Sequence, residues 1–216
     1  MPTDHKMQSE RVVLTGDLVA SGRLGPDEID AAMAALSTAA TEAMRVWGSG
    51  HARFTRFRGD GWQCLAPHPR QTLRTMLLLQ ARLRQLGPGF STRIAAGIGA
   101  GRLPAGPGLG EASGPAFELS GRGLDRLGAT DRLSVDWEAE PEGADWLRAV
   151  FALCDEISRR WTVRQAEIIA ASLGAGERPS QSALADRFGV SQQTIGRLLA
   201  AGGHRGLSAA LEAVEG

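Results

Sequence analysis

Asp17 and Asp60 are the first residues whose type and setting point to chemistry. Asp17 closes an apolar run at 12–19 that reads as a strand, and Asp60 stands between glycines in Gly59-Asp60-Gly61. That triplet is flanked by two short segments, 53–58 and 62–66, and signals a Gly-rich hairpin. If strand and hairpin are neighbours in a sheet, their carboxylates lie at adjacent strand ends. Such a pair can hold Mg²⁺ or Mn²⁺ and, through it, the phosphates of a nucleotide, because hard cations take oxygen ligands and complete their shells with water and phosphate. The plainer alternatives are ordinary Asp-Gly turn chemistry at Asp60 and a local cap at Asp17. Gly97, Gly99 and Gly101 could likewise admit a phosphate to the backbone, or simply mark a bulge or turn.

A second set lies near the other end of the chain. Ser180 and Ser191 each precede a short apolar-periodic run, 181–188 and 192–201, with Gly189 between them as a helix terminator. Ala183, Leu184 and Phe188 in the first run and Ile195, Leu198 and Leu199 in the second face inward, a helix-turn-helix pattern. The outward face of the second helix then carries Gln192, Gln193, Thr194 and Arg197, with Ser191 at its start. Gln pairs with the edge of adenine, Arg with that of guanine, and hydroxyls with helix N-terminal amides suit phosphate. Between 159 and 205, seven arginines stand against Glu167, Glu177 and Asp186, a local charge of +4 in a chain of zero formal net charge. Double-stranded DNA is the partner this implies, the plainer alternative being a helix-turn-helix used only for protein contacts.

The elements that must position these residues follow from periodicity. Helices are expected at 26–47, where Ile29, Met33, Leu36, Ala40 and Met44 share a face, and at 70–86, with Leu73, Met76, Leu77, Leu83 and Leu86 apolar. A strand at 92–99, a short helix at 116–127 and a last strand at 132–135 complete a β-α-β-β-α-β order with additions, the ferredoxin-like arrangement. An acidic stretch, 136–145, holds five carboxylates and no basic residue, and reads as a solvated connection. The helix after it, 146–161, sets Leu147, Val150, Phe151, Cys154, Ile157 and Trp161 on one stripe, to be buried against the preceding unit or in a dimer seam. The expected division is 1–140 as an α+β domain, 141–161 as a linker helix and 162–216 as an all-α helix-turn-helix domain.

Composition narrows the classes. The chain has 216 residues, 43% of them hydrophobic and 22% charged, and no apolar run long enough for a membrane span. Residues 1–11 are polar, so a secretory signal is not expected. Two cysteines, Cys64 and Cys154, cannot build a disulfide framework or a zinc cage and read as core residues. Four scattered histidines lack metal-ligand spacing. A cytoplasmic protein with no membrane partner is the expectation.

The segments GDLVASG (16–22), FRGDGWQ (57–63), RIAAGIGAG (93–101) and SGPAFELSGRGLD (113–125), in this order and spacing, resemble the catalytic domain of class III nucleotide cyclases in diverged form. The chain resembles more closely still the SatD-like bacterial proteins, which join such a segment to a C-terminal helix-turn-helix. The resemblance implies a metal role for Asp17 and Asp60. It puts Arg56 where cyclases have a base-reading lysine, and Arg122 where they have the arginine that stabilises the transition state. Glu118 falls where they have asparagine, and a carboxylate beside a developing phosphorane charge is unfavourable. The expectation is therefore a DNA-binding transcriptional regulator, a homodimer whose cyclase-like domain senses a metal-nucleotide ligand and is not an enzyme. The rival is a Mg²⁺- or Mn²⁺-dependent nucleotide cyclase carrying a DNA-binding tail.

Overall fold

A computed structural model describes residues 9–48, 50–57, 59–174 and 176–216. The expectations for the polar N-terminus (1–8) and for Arg58 at the end of the second strand lie outside them. The elements run β1 (Ser9–Leu18), α1 (Pro26–Trp47), β2 (Phe54–Arg56), β3 (Gly61–Ala66), α2 (Thr72–Arg84), β4 (Thr92–Gly101), α3 (Pro115–Arg126), β5 (Leu133–Trp137), α4 (Ala144–Ser158), α5 (Val163–Leu173), α6 (Gln181–Phe188), α7 (Gln192–Ala201) and α8 (His204–Glu215).

Five strands form one mixed sheet in the order β2-β3-β1-β4-β5, antiparallel throughout except for the parallel β4–β5 pair. The pleat of β1 divides its side chains between two faces. Val12, Leu14 and Leu18 join the large core under α1 and α2, while Val13 joins Leu65, Leu109 and Ala116 on the α3 side. α1 starts where Glu28 Oε2 accepts the Gly25 N–H at 2.8 Å and stops where Gly48 N–H returns to the Met44 carbonyl. It buries Ala32, Met33, Leu36, Ala39, Ala40, Ala43 and Met44, the recurrence of a helix with one core face.

α3 lies close on β4 because glycines make room for it. A Cβ on Gly97 would strike the Ala116 carbonyl, and one on Gly101 would meet Arg11 and the Phe117 ring. Gly99 stands beside Glu138. All three pair regularly with β1, so they neither bulge nor open the backbone to a phosphate; they serve packing.

α2 is buried nearly all round, with Leu73, Met76, Leu77, Leu78, Leu79 and Leu83 sealed, because the sheet lies on one side and α5 on the other. Leu86, expected on the buried face, lies beyond the helix and is exposed. The helices after the sheet therefore share one hydrophobic core with it. α4 sits against β5, α2 and α8; Phe151, Cys154 and, just past it, Trp161 are buried, and Trp161 Nε1 donates to the Gly202 carbonyl at 2.9 Å. The stripe of α4 thus faces the core of its own chain.

The acidic stretch is divided: its first two residues close β5, and 138–142 form an exposed connection to α4. Asp136 and Trp137 belong to β5, Asp136 pairs with Arg126 and Arg148, and Arg148 also reaches Glu140 and Asp145 while lying over the Trp137 ring. Asp136, Glu140 and Asp145 thus meet arginines, while Glu138 accepts the Ala100 N–H at 2.6 Å. α8 was not among the expected elements. Burial raises the thiol of Cys64 to about 12 and that of Cys154 to about 11, so both are inert core groups at neutral pH. No helix among the described residues is long and apolar enough to cross a membrane.

Candidate functional site

The aspartate end of the sheet is assembled by register. Asp17 stands opposite Gly61 of β3 on one side and opposite Arg93 of β4 on the other. Two residues set that register. Trp62 is fully buried with its ring over Gly16, where a Cβ would collide with it, and Trp62 Nε1 donates to Thr92 Oγ1 at 3.0 Å. The hairpin tip is thereby held beside the end of β1, and Leu18 N–H donates to the Asp60 carbonyl at 3.3 Å. Asp17 and Asp60 do come to one sheet end, although Asp60 itself is a half-buried turn residue.

They do not face each other as a bare pair. Arg93 grips the Asp17 carboxylate through two nitrogens, Nε to Oδ1 at 2.9 Å and Nη2 to Oδ2. The hydrogen bond to Asp17, aided by the fields of Asp17, Asp60 and Asp125, raises the basicity of Arg93 against the opposing pull of its partial burial. The resident cation of this end is therefore a guanidinium, which offsets the negative charge of Asp17. Among the described residues, no three histidine, cysteine or carboxylate side chains are close enough to hold a metal ion together.

Arg56 braces the same hairpin. Its Nε donates to the Gly59 carbonyl at 3.0 Å and its Nη1 to Asp30 of α1 at 2.6 Å. Arg122 is exposed on α3 and pairs with Glu118 one turn before it at 3.4 Å. The structure thus joins Asp17 and Asp60, adds Arg93 and Asp125, and gives Arg122 no contact with them. The missed signal was Arg93 itself, a charged residue heading a strand otherwise buried along most of its length.

The second site is the outer face of α7. Gly189 ends α6 with φ +63°, the left-handed region that favours glycine, and Ser180 and Ser191 cap α6 and α7. Ser191 Oγ accepts the Thr194 N–H at 3.2 Å and bonds the Thr194 hydroxyl at 2.9 Å. Ser191 and the half-buried Thr194 are thus committed to the helix start. Gln192, Gln193 and Arg197 project into solvent. The surrounding positive charge is thinner than composition implied. Arg159 and Arg160 pair with Glu156, Arg164 with Glu167 and Arg178 with Glu212, so among the described residues Arg187, Arg197 and Arg205 remain without a carboxylate partner. Glu156 and Glu212 lie outside the stretch over which charge was counted.

No protein-family model matches the chain, and no curated protein matches it. Among solved structures it is similar to a bacterial light-regulated adenylyl cyclase, with 18% identity and a TM-score of 0.40, over 58% of this chain and 42% of that one. The match thus spans less than half of that protein. The expectation that the chain is not an enzyme is corrected on this point, since the protein it is similar to is an adenylyl cyclase.

Proposed function

We propose that the chain is a DNA-binding regulator of the SatD-like kind. In this reading 1–140 forms a cyclase-like, ferredoxin-like unit, 141–161 connects it, and 162–216 is a helix-turn-helix domain acting on double-stranded DNA as a cytoplasmic homodimer. The observation that carries it is the row of exposed, uncommitted Gln192, Gln193 and Arg197 on the first two turns of α7. The tight α6–α7 corner, held by the Gly189 terminator and the Ser191 cap, supports it further. The antiparallel run β2-β3-β1-β4 supports the ferredoxin-like description of the sheet. In this account Arg197 and Gln193 read base edges, Gln192 assists, and Ser191 with Thr194 presents the helix N-terminus to a phosphate.

The test is selection of bound sequences from a random duplex pool at fixed salt, followed by titration of the enriched site. Arg197→Ala and Gln193→Ala should each weaken specific binding by about 1–3 kcal/mol while sparing non-specific binding. No enrichment, or equal affinity of the variants, defeats the reading.

A second reading, a divalent-metal-dependent nucleotide cyclase, is supported by the placement of Asp17 and Asp60 at one sheet end. There the aspartates would hold Mg²⁺ or Mn²⁺ and Arg56 and Arg122 would contact the nucleotide. Asp17 would have to yield Arg93 first. Cyclic nucleotide formed from ATP or GTP with Mn²⁺ by the wild type, and lost in Asp60→Asn, would establish it; no product in either would dismiss it.

A further inference from the structure

The outer face of α4 holds the two most exposed large apolar side chains among the described residues, Trp146 at 46% and Leu153 at 65% relative exposure. They stand seven residues apart, two helical turns, with Ala149 and Ala152 exposed between them. The inner face of the helix is already spent on β5, α2 and α8. What remains outside is a narrow apolar stripe, large-small-large, on a helix about 22 Å long.

Charge is distributed unevenly along the same helix. Its N-terminal end carries Glu140, Glu142 and Asp145 against Arg148, and Arg148 pairs with Glu140 and Asp145, leaving Glu142 exposed without a partner among the described residues. The C-terminal end carries Arg159 and Arg160 against Asp155 and Glu156; Asp155 is buried beside Arg159, and the Arg160 side chain is 80% exposed. One end of the face thus presents the exposed carboxylate of Glu142 and the other the exposed guanidinium of Arg160, so the face is complementary to itself when reversed.

We propose that α4 docks antiparallel on the α4 of a second copy of this chain, about a two-fold axis passing between Ala149 and Leu153. Leu153 then fills the space over the partner's Ala149, and the converse contact is repeated by symmetry. Trp146 lies along the stem of the partner's Glu156, and Glu142 meets the partner's Arg160. A parallel arrangement would set Arg160 against Arg160 and Glu142 against Glu142, which like-charge repulsion disfavours. A four-turn helix face is small beside the roughly 1,600 Å² of a standard interface, so the association is concentration-dependent rather than obligate. The proposal gives a surface to the homodimer in the reading above, yet it does not depend on DNA binding.

The experiment is sedimentation of the full chain, without DNA, over about a hundredfold range of concentration in the micromolar region. The expected result is a monomer–dimer equilibrium. Leu153→Glu, at a position too exposed to disturb the fold, should weaken it at least about tenfold, with unchanged circular dichroism. Glu142→Arg and Arg160→Glu should each weaken dimerisation, and the double exchange should restore it. A monomer at every concentration overturns the proposal. So does a dimer indifferent to Leu153→Glu, or one strengthened by Arg160→Glu alone. Because DNA is absent, a failed DNA-binding reading leaves the sedimentation result standing.

Discussion

Arg93 holds Asp17 by two parallel hydrogen bonds across adjacent strands, with the side chains 31% and 23% exposed. Two carboxylates left to repel each other would be relieved by removing one charge, but here a guanidinium loses its partner. Asp17→Asn should therefore lower stability by about 1–2 kcal/mol, between the values for exposed and buried pairs. Asp60→Asn, in a turn where asparagine serves equally well, should change it by less than about 0.5 kcal/mol. Urea unfolding of the three proteins in metal-free buffer measures both; equal stability of wild type and Asp17→Asn would refute the role given to Arg93.

Gly16 should tolerate no side chain. Its Cβ would lie 2.5 Å from the Arg93 carbonyl and closer still to the Trp62 ring, and neither a strand backbone nor a sealed indole can move aside cheaply. Gly16→Ala is expected to cost about 1–3 kcal/mol through overpacking, whereas Gly110→Ala, with open space around it, should be nearly neutral. Thermal melts of the pair provide the comparison.

α8 is fastened to the sheet unit by a fork. Arg74 of α2 donates to both Glu215 carboxylate oxygens at 2.5 and 2.7 Å, and its neighbour Arg70 reaches the Glu215 and Gly216 carbonyls. With both members of the Arg74–Glu215 pair mostly covered, Arg74→Ala should release the end of the helix at a cost of about 1–2 kcal/mol. Amide hydrogen exchange should accelerate in α8 and remain unchanged in β1 and β4. Uniform acceleration would mean that the fork supports the whole core instead.

Acid should weaken the packing of α8 through His204. Burial, reinforced by the charge of Arg178, lowers the pKa of this ring below its ordinary 6.5, and the neutral ring shares a 2.8 Å hydrogen bond with Ser172. The unfolded chain then binds the proton more readily than the folded one. Stability contributed here is complete above pH 6.5 and is lost as pH falls from there toward the lowered folded value. Asp155 acts in the opposite sense at lower pH, because burial raises its carboxyl above 3.8. Urea midpoints between pH 7 and pH 5 should fall in the wild type and flatten in His204→Gln; parallel slopes would remove His204 from the account.

Local pattern was enough to locate most elements. The 26–47 stripe became α1 and the 92–99 run became β4, because a helix or strand with one buried face must repeat apolar residues at its own period. Gly189 and Ser191 announced the α6–α7 corner for a similar reason: terminators and caps act within three or four residues. α8 escaped because Gly202 and Gly203 read as an ending, and only packing against α4, α2 and α7 reveals the helix beyond them. At the aspartate end, types and turn chemistry could propose that Asp17 and Asp60 meet, but not what stands between them. Arg93 is 76 residues from Asp17, and it reaches that carboxylate only because the β1–β4 register sets the two side chains directly opposite. That register is chosen by the burial of Trp62 over Gly16 and by the close seat of α3 on Gly97. Periodicity is a property of neighbours along the chain, whereas the partner of a charge is decided by which distant strands the core brings side by side.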